Sequence, residues 1–170
     1  MSNWLSRRAV LTAAGGAALA GGALGGVLAA DASGHGGRSV RIVRRFYELL
    51  HRKDIDAFAE LWHDKARLIV PYPSEGFPNL VEGKAEIVAG FRNLLPVFES
   101  LDFTLTGIYP VAGSDTVCAE YKTRNVLVDG VVYTNDNIVV FLFEDGLISA
   151  YHDYFDPRRF QVVVDRLPRD

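Results

Sequence analysis

An Asp-Gly pair at Asp129-Gly130, set between two long stretches rich in β-branched and aromatic residues, constrains this chain more than any other feature. Residues 116–128 and 131–143 on either side have strand composition, and the pair between them is a two-residue hairpin signal. Glu144-Asp145-Gly146 then turns the chain into a last strand over 147–155, which Asp156-Pro157 ends. Just upstream, Phe103, Leu105 and Gly107 alternate with Asp102, Thr104 and Thr106 and run into Tyr109. An antiparallel meander of this length has a face to bury. Other parts of the chain must cover it.

The preceding segments supply the cover. Apolar residues at 40, 42, 43, 46, 47, 49 and 50 form a helical stripe, with Arg41, Arg44, Arg45 and Glu48 opposite. Lys53-Asp54 breaks the pattern, and Asp54 can cap a second helix over 55–62. Residues 66–70 make a short strand stopped by Pro71 and Pro73, followed by a Pro- and Gly-rich loop. A third helical pattern spans 84–97, through Ile87, Val88, Phe91, Leu94 and Leu95. The tail over 158–167 reads as a short helix or an extended segment. Helices grouped on one side of a curved antiparallel sheet give an α+β layer fold.

The start of the chain reads differently. Arg7-Arg8 precede an uncharged run over 9–30, built almost wholly of Ala, Gly, Leu and Val, and Ala30-Asp31-Ala32 offers an A-x-A cleavage site. A twin-arginine-type leader over 1–32 is expected, with export to the periplasm or the medium. A run of 22 residues could also span a bilayer, but its glycines weaken a helix, so the leader is the preferred reading. Membrane contact is expected only through an uncleaved leader. Residues 33–39 read as a flexible connector and 40–170 as the domain. Without the leader, 16 basic residues face 20 acidic ones, a balance that argues against nucleic-acid binding. Cys118 is the only cysteine, which excludes an intramolecular disulfide. The histidines at 35, 51, 63 and 152 have no metal-ligand spacing, and His63 reads as a helix-end residue. No metal or cofactor is expected.

Several local marks occur in a telling order: Pro71-Tyr72-Pro73 to Phe77-Pro78, Val81-Glu82-Gly83-Lys84, Tyr133-Thr134-Asn135-Asp136-Asn137, and Asp145-Gly146-Leu147-Ile148 leading to Asp153-Tyr154-Phe155-Asp156-Pro157. Together they resemble the SnoaL-like branch of the nuclear-transport-factor-2-like superfamily. The closing stretch through Arg159-Phe160 is also similar to limonene-epoxide hydrolases. The resemblance implies a cone-shaped α+β barrel, a curved sheet wrapped around three N-terminal helices and enclosing an apolar pocket. It does not imply one reaction, because the superfamily holds isomerases, cyclases, dehydratases, epoxide hydrolases and pure binders.

Strand alternation puts Tyr151, Asp153 and Phe155 on one face of the last strand, and His152 and Tyr154 on the other. The resemblance implies that the acid at Asp153 faces the pocket and handles protons. A carboxylate walled by aromatic rings is desolvated and becomes usable near neutrality; the plainer alternative is an aspartate bonded to backbone at a strand end. Tyr133, Asn135 and Asn137 share a face of the neighbouring strand, and the two amides meet either a ligand or side chains across the sheet. A strict two-residue hairpin would place Glu120, Lys122 and Arg124 opposite Asn135. Apolar matching instead turns Val117, Ala119, Tyr121 and Thr123 inward, and is preferred because alternating charges mark a solvated face. A bulge would reconcile the two. Asp153, Asn135 and Tyr121 are therefore the candidate catalytic groups, with Tyr72, Asn137, Tyr151, Phe155 and Phe160 expected to contact substrate.

The limonene-epoxide hydrolase set of Asp, Arg, Asp, Tyr and Asn is matched clearly only at Asp153, which argues against epoxide hydrolysis. Two functions remain: a cofactor-free proton-transfer enzyme of isomerase, dehydratase or cyclase type on a small hydrophobic molecule, or a non-catalytic ligand-binding or protein-interaction module. The apolar excess of 138–143 further suggests a homodimer through the outer sheet face.

Overall fold

The computed structural model describes residues 32–168, so all of the proposed leader except Ala32 lies outside the described residues. Helix α1 spans Ala32–His51 and buries Val43, Phe46, Tyr47, Leu49 and Leu50, the stripe read from the sequence. It begins earlier than expected: 33–39, read as a flexible connector, forms its first turns. Tertiary contact explains the correction, since Ser39 is buried and the Arg38 guanidinium lies where a Cβ on Gly146 would stand. Asp54 caps α2, accepting from the Ala57 amide at 3.2 Å, but α2 is only Ile55–Ala59.

Strand β1 already starts at Trp62 and runs to Ile69, so His63 is a strand residue rather than a helix end. Burial decides this point. Trp62 is fully enclosed against Phe46, Phe58 and Tyr151, a larger gain than one more turn of a short helix would bring. Strand β2 is Leu80–Glu82, α3 is Lys84–Leu94 with a 3-10 turn over Leu95–Val97, and β3 is Phe98–Ser100. The meander follows as β4 (Phe103–Pro110), β5 (Val117–Leu127), β6 (Val132–Glu144) and β7 (Leu147–Tyr154), and α4 (Pro157–Val164) closes the chain.

The seven strands form one open, curved sheet in the order β2-β1-β7-β6-β5, with β3 and β4 both pairing with β5. It is mixed rather than wholly antiparallel, because β1 lies parallel to β7. The two Asp-Gly pairs make different turns. At Asp145-Gly146 both residues have positive φ (53° and 76°) and Glu144 pairs with Leu147, a two-residue turn. At Asp129-Gly130 only the glycine does (84°); Leu127 and Val131 close a three-residue loop, and the Gly130 amide donates to the Leu127 carbonyl at 2.8 Å. That extra loop residue sets the β5–β6 register. Tyr121 stands opposite Asn137 and Thr123 opposite Asn135, all on the buried face, while Glu120, Lys122 and Arg124 point to solvent.

Candidate functional site

Three rows of inward side chains cross the sheet beneath α1. Val117, Phe141 and Tyr151 form one, Ala119, Val139 and Asp153 the next, and Tyr121 and Asn137 the third, with Phe155 just past β7 lining the same cavity. The middle row has small neighbours, so tyrosines from both flanking rows lean over it toward the carboxylate. The Tyr121 hydroxyl donates to Asp153 Oδ1 and Oδ2 at 3.1 and 3.2 Å, and the Tyr151 hydroxyl donates to Oδ2 at 3.1 Å. From above, the Tyr47 ring packs on Tyr121 with centroids 4.7 Å apart.

The electrostatics follow from this enclosure. Asp153 retains some accessible surface, but it faces a cavity rather than bulk water. Burial pushes its carboxyl up to about 7, against the downward pull of the Tyr121 and Tyr151 hydrogen bonds. Burial, and next the charge of Asp153, drive the phenols of Tyr47, Tyr121 and Tyr151 well above their ordinary value, so they remain donors. An aspartate that is half-ionised near neutrality and held by two phenols can accept a proton and return it.

The cavity between the helices and the sheet measures about 110 Å³ and is partly open to solvent. Asp153, Tyr121, Asn137, Tyr151, Phe155 and Phe160 all line it. Two candidates lie elsewhere. Tyr72 is 66% exposed, its ring beside Tyr154 on the outer side of β7, because Pro71 and Pro73 carry the loop away from the cone. Asn135 is buried but occupied: its Nδ2 donates to the Tyr133 hydroxyl and the Asp156 carbonyl, and its Oδ1 accepts from the Asp156 amide at 3.2 Å. It fastens the β7–α4 corner. Asn137 is freer: among the described residues its side chain makes one bond, Nδ2 donating to the Tyr121 carbonyl at 3.4 Å.

Sequence reasoning missed Tyr47 as part of this wall, and placed Thr123 inward without giving it a role at the site. Both hydroxyls are buried, and among the described residues neither has a hydrogen-bond partner. The trace of Tyr47 is a phenol in the apolar stripe of α1; Thr123 is polar at an inward β5 position. The wall contains no Arg or Lys, and Asp153 is its one acid, among the described residues.

The SnoaL-like domain family matches residues 43–151, well over half of the chain, from within α1 to within β7. The chain belongs to the SnoaL-like family. The Bacillus subtilis protein YesE, uncharacterized, is 32% identical over 121 residues, covering 71% of this chain and 82% of YesE. A putative isomerase from Bacillus subtilis superposes with a TM-score of 0.71 at 29% identity, over 77% of this chain and 95% of that one. An epoxide hydrolase of limonene-epoxide type from Mycobacterium tuberculosis shares the fold, with a TM-score of 0.60 at 19% identity, over 76% and 91% of the two chains. The SnoaL-like assignment accounts for the cone. It leaves the reaction to be argued from the residues.

Proposed function

We propose that this SnoaL-like protein is a cofactor-free proton-transfer enzyme, of isomerase, dehydratase or cyclase type, acting on a small hydrophobic molecule. One observation carries the reading: a carboxylate tuned to about neutrality is aimed into an apolar cavity and held there by two phenols. Such a group removes a proton from the carbon next to a carbonyl. The C–H electron pair moves to form an enolate, the proton rests on Asp153, and it returns to the same or another carbon. The Asn137 amide, with its long bond to Tyr121, is the group placed to donate to the developing oxyanion. The likeness to a putative isomerase supports this class. Epoxide hydrolysis fits less well, because the wall has neither the arginine nor the second acid which that reaction set contains.

The test is exchange of α-protons of small ketones in D2O, followed by NMR across pH. A base works ionised, so the rate is expected to rise through about pH 7 and level off above it. A flat profile, or no exchange with ketones that demonstrably bind, would leave the ligand-binding module as the function.

Two further expectations concern the whole chain. Export rests on Arg7-Arg8 and the uncharged run, so Arg7→Lys with Arg8→Lys should leave the protein in the cytoplasm. Normal export of that double variant would refute the twin-arginine route. Dimerisation would use the outer sheet face, where Ile138 is 49% exposed beside half-buried Val140 and Leu142. Sedimentation should give twice the chain mass at micromolar concentration; a monomer there sinks the idea.

A further inference from the structure

We propose that this cavity is cut for one-ring or short-chain carbonyl compounds, and that Phe160 is the residue that sets this limit. The proposal rests on the proton-transfer reading of the same cavity and adds the size class of its substrate.

Volume comes first. A cavity of about 150 Å³ lined by aliphatic and aromatic side chains takes a benzene, and pockets for drug-sized ligands are typically 300–1,000 Å³. At about 110 Å³ this cavity is smaller than that, so one small ring is the most its walls surround. The length along the strand agrees. Phe155 lies two residues beyond Asp153, just past the end of β7 and roughly 7 Å further along the chain, and lines the same cavity. Phe160 packs on Phe155 with ring centroids 4.9 Å apart. A substrate with its reacting carbon at Asp153 therefore meets an aromatic wall after one ring.

The wall cannot easily yield, because α4, which carries Phe160, is pinned at several points. Asn135 holds the amide and the carbonyl of Asp156. The Ser74 hydroxyl donates to the Pro157 carbonyl at 2.6 Å. Gln161 accepts from the Glu75 amide at 2.9 Å and donates to the Glu75 carbonyl at 3.2 Å. Arg166 reaches Asp129 at the β5–β6 loop. Phe160 is also wedged between Phe77 and Tyr133, with centroids 5.1 and 5.7 Å away. Widening the cavity by displacing this helix would break these bonds together. Removing the ring would widen it without breaking any of them.

The experiment compares cyclohexanone with 1-decalone, which adds a second ring, on the full-length protein. Binding is followed by saturation-transfer NMR and α-proton exchange in D2O, for wild type, Phe160→Leu and Phe160→Ala. Wild type is expected to favour cyclohexanone by about tenfold or more. Phe160→Ala should close or invert that ratio and Phe160→Leu should move it part-way, with Phe160→Leu alone deciding if the alanine variant does not fold. Equal handling of both ketones by wild type would overturn the limit, and an unchanged ratio in a folded Phe160 variant would overturn the role of Phe160. Selective binding without exchange would keep the size limit and defeat the proton-transfer reading. Binding of neither ketone would overturn both.

Discussion

Asp153→Asn is expected to lose about a hundred- to ten-thousand-fold in turnover while melting at a higher temperature than wild type at pH 8. The two effects share one cause. In the folded protein the Asp153 carboxyl titrates at about 7, against about 3.9 in an unfolded chain. The native state therefore holds the proton more tightly. Its contribution to stability is fully present below about pH 4, is lost as pH rises toward 7, and changes no further above that. A rise from the ordinary carboxylate value to about 7 corresponds to at most about 4 kcal/mol withdrawn at alkaline pH. Asparagine is neutral and escapes that cost. It can still accept from Tyr121 or Tyr151 through Oδ1, but its Nδ2 then faces a phenol oxygen, so the gain falls short of the full amount. Near pH 4 the two proteins should melt alike. Thermal melts at pH 4 and pH 8, with turnover on the same preparations, read both predictions at once. A variant less stable at both pH values would make Asp153 a structural residue.

The parts of this fold that were legible in the sequence are those governed by local pattern. The α1 stripe, the α3 pattern, the cap at Asp54 and the inward face of β7 all follow from periodicity and capping chemistry. What failed was set by contacts distant in sequence. Identical dipeptides, Asp129-Gly130 and Asp145-Gly146, make a three-residue and a two-residue turn, a difference of backbone angle at Asp129 and Asp145 that the residue names do not carry. The inward placement of Tyr121 was nevertheless legible, because charges at 120, 122 and 124 would have been costly inside. Asn135 and Asn137 look equivalent on a strand, yet Asp156, 21 residues after the first, is what occupies Asn135. Nor could the strand pattern show that Tyr47, on a helix, would pack on Tyr121 over the carboxylate.

Phe46→Ala should be the most destabilising single change in the described domain, at about 3–5 kcal/mol, against a total stability of roughly 5–15 for a domain of this size. Phe46 is fully buried, and its ring meets Phe58 at 5.0 Å, Trp62 at 6.0 Å, Phe141 at 5.2 Å and Tyr151 at 5.2 Å between centroids. These partners come from α2, β1, β6 and β7, so the void left by alanine would sit where the helical cover meets the sheet and could close only by moving several elements. The contact with Tyr151 is stacked, at 20° between planes, and it aligns a phenol that holds Asp153. Destabilisation should therefore be accompanied by a loss of turnover per folded molecule, unlike a core change away from the site. Val163→Ala is the control: Val163 is also fully buried but lies on α4, outside the cavity wall. Denaturant melts give the energies, and turnover normalised to the folded fraction separates the two variants. If Phe46→Ala retains full activity per folded molecule, Tyr151 needs no aromatic support to hold the carboxylate in place.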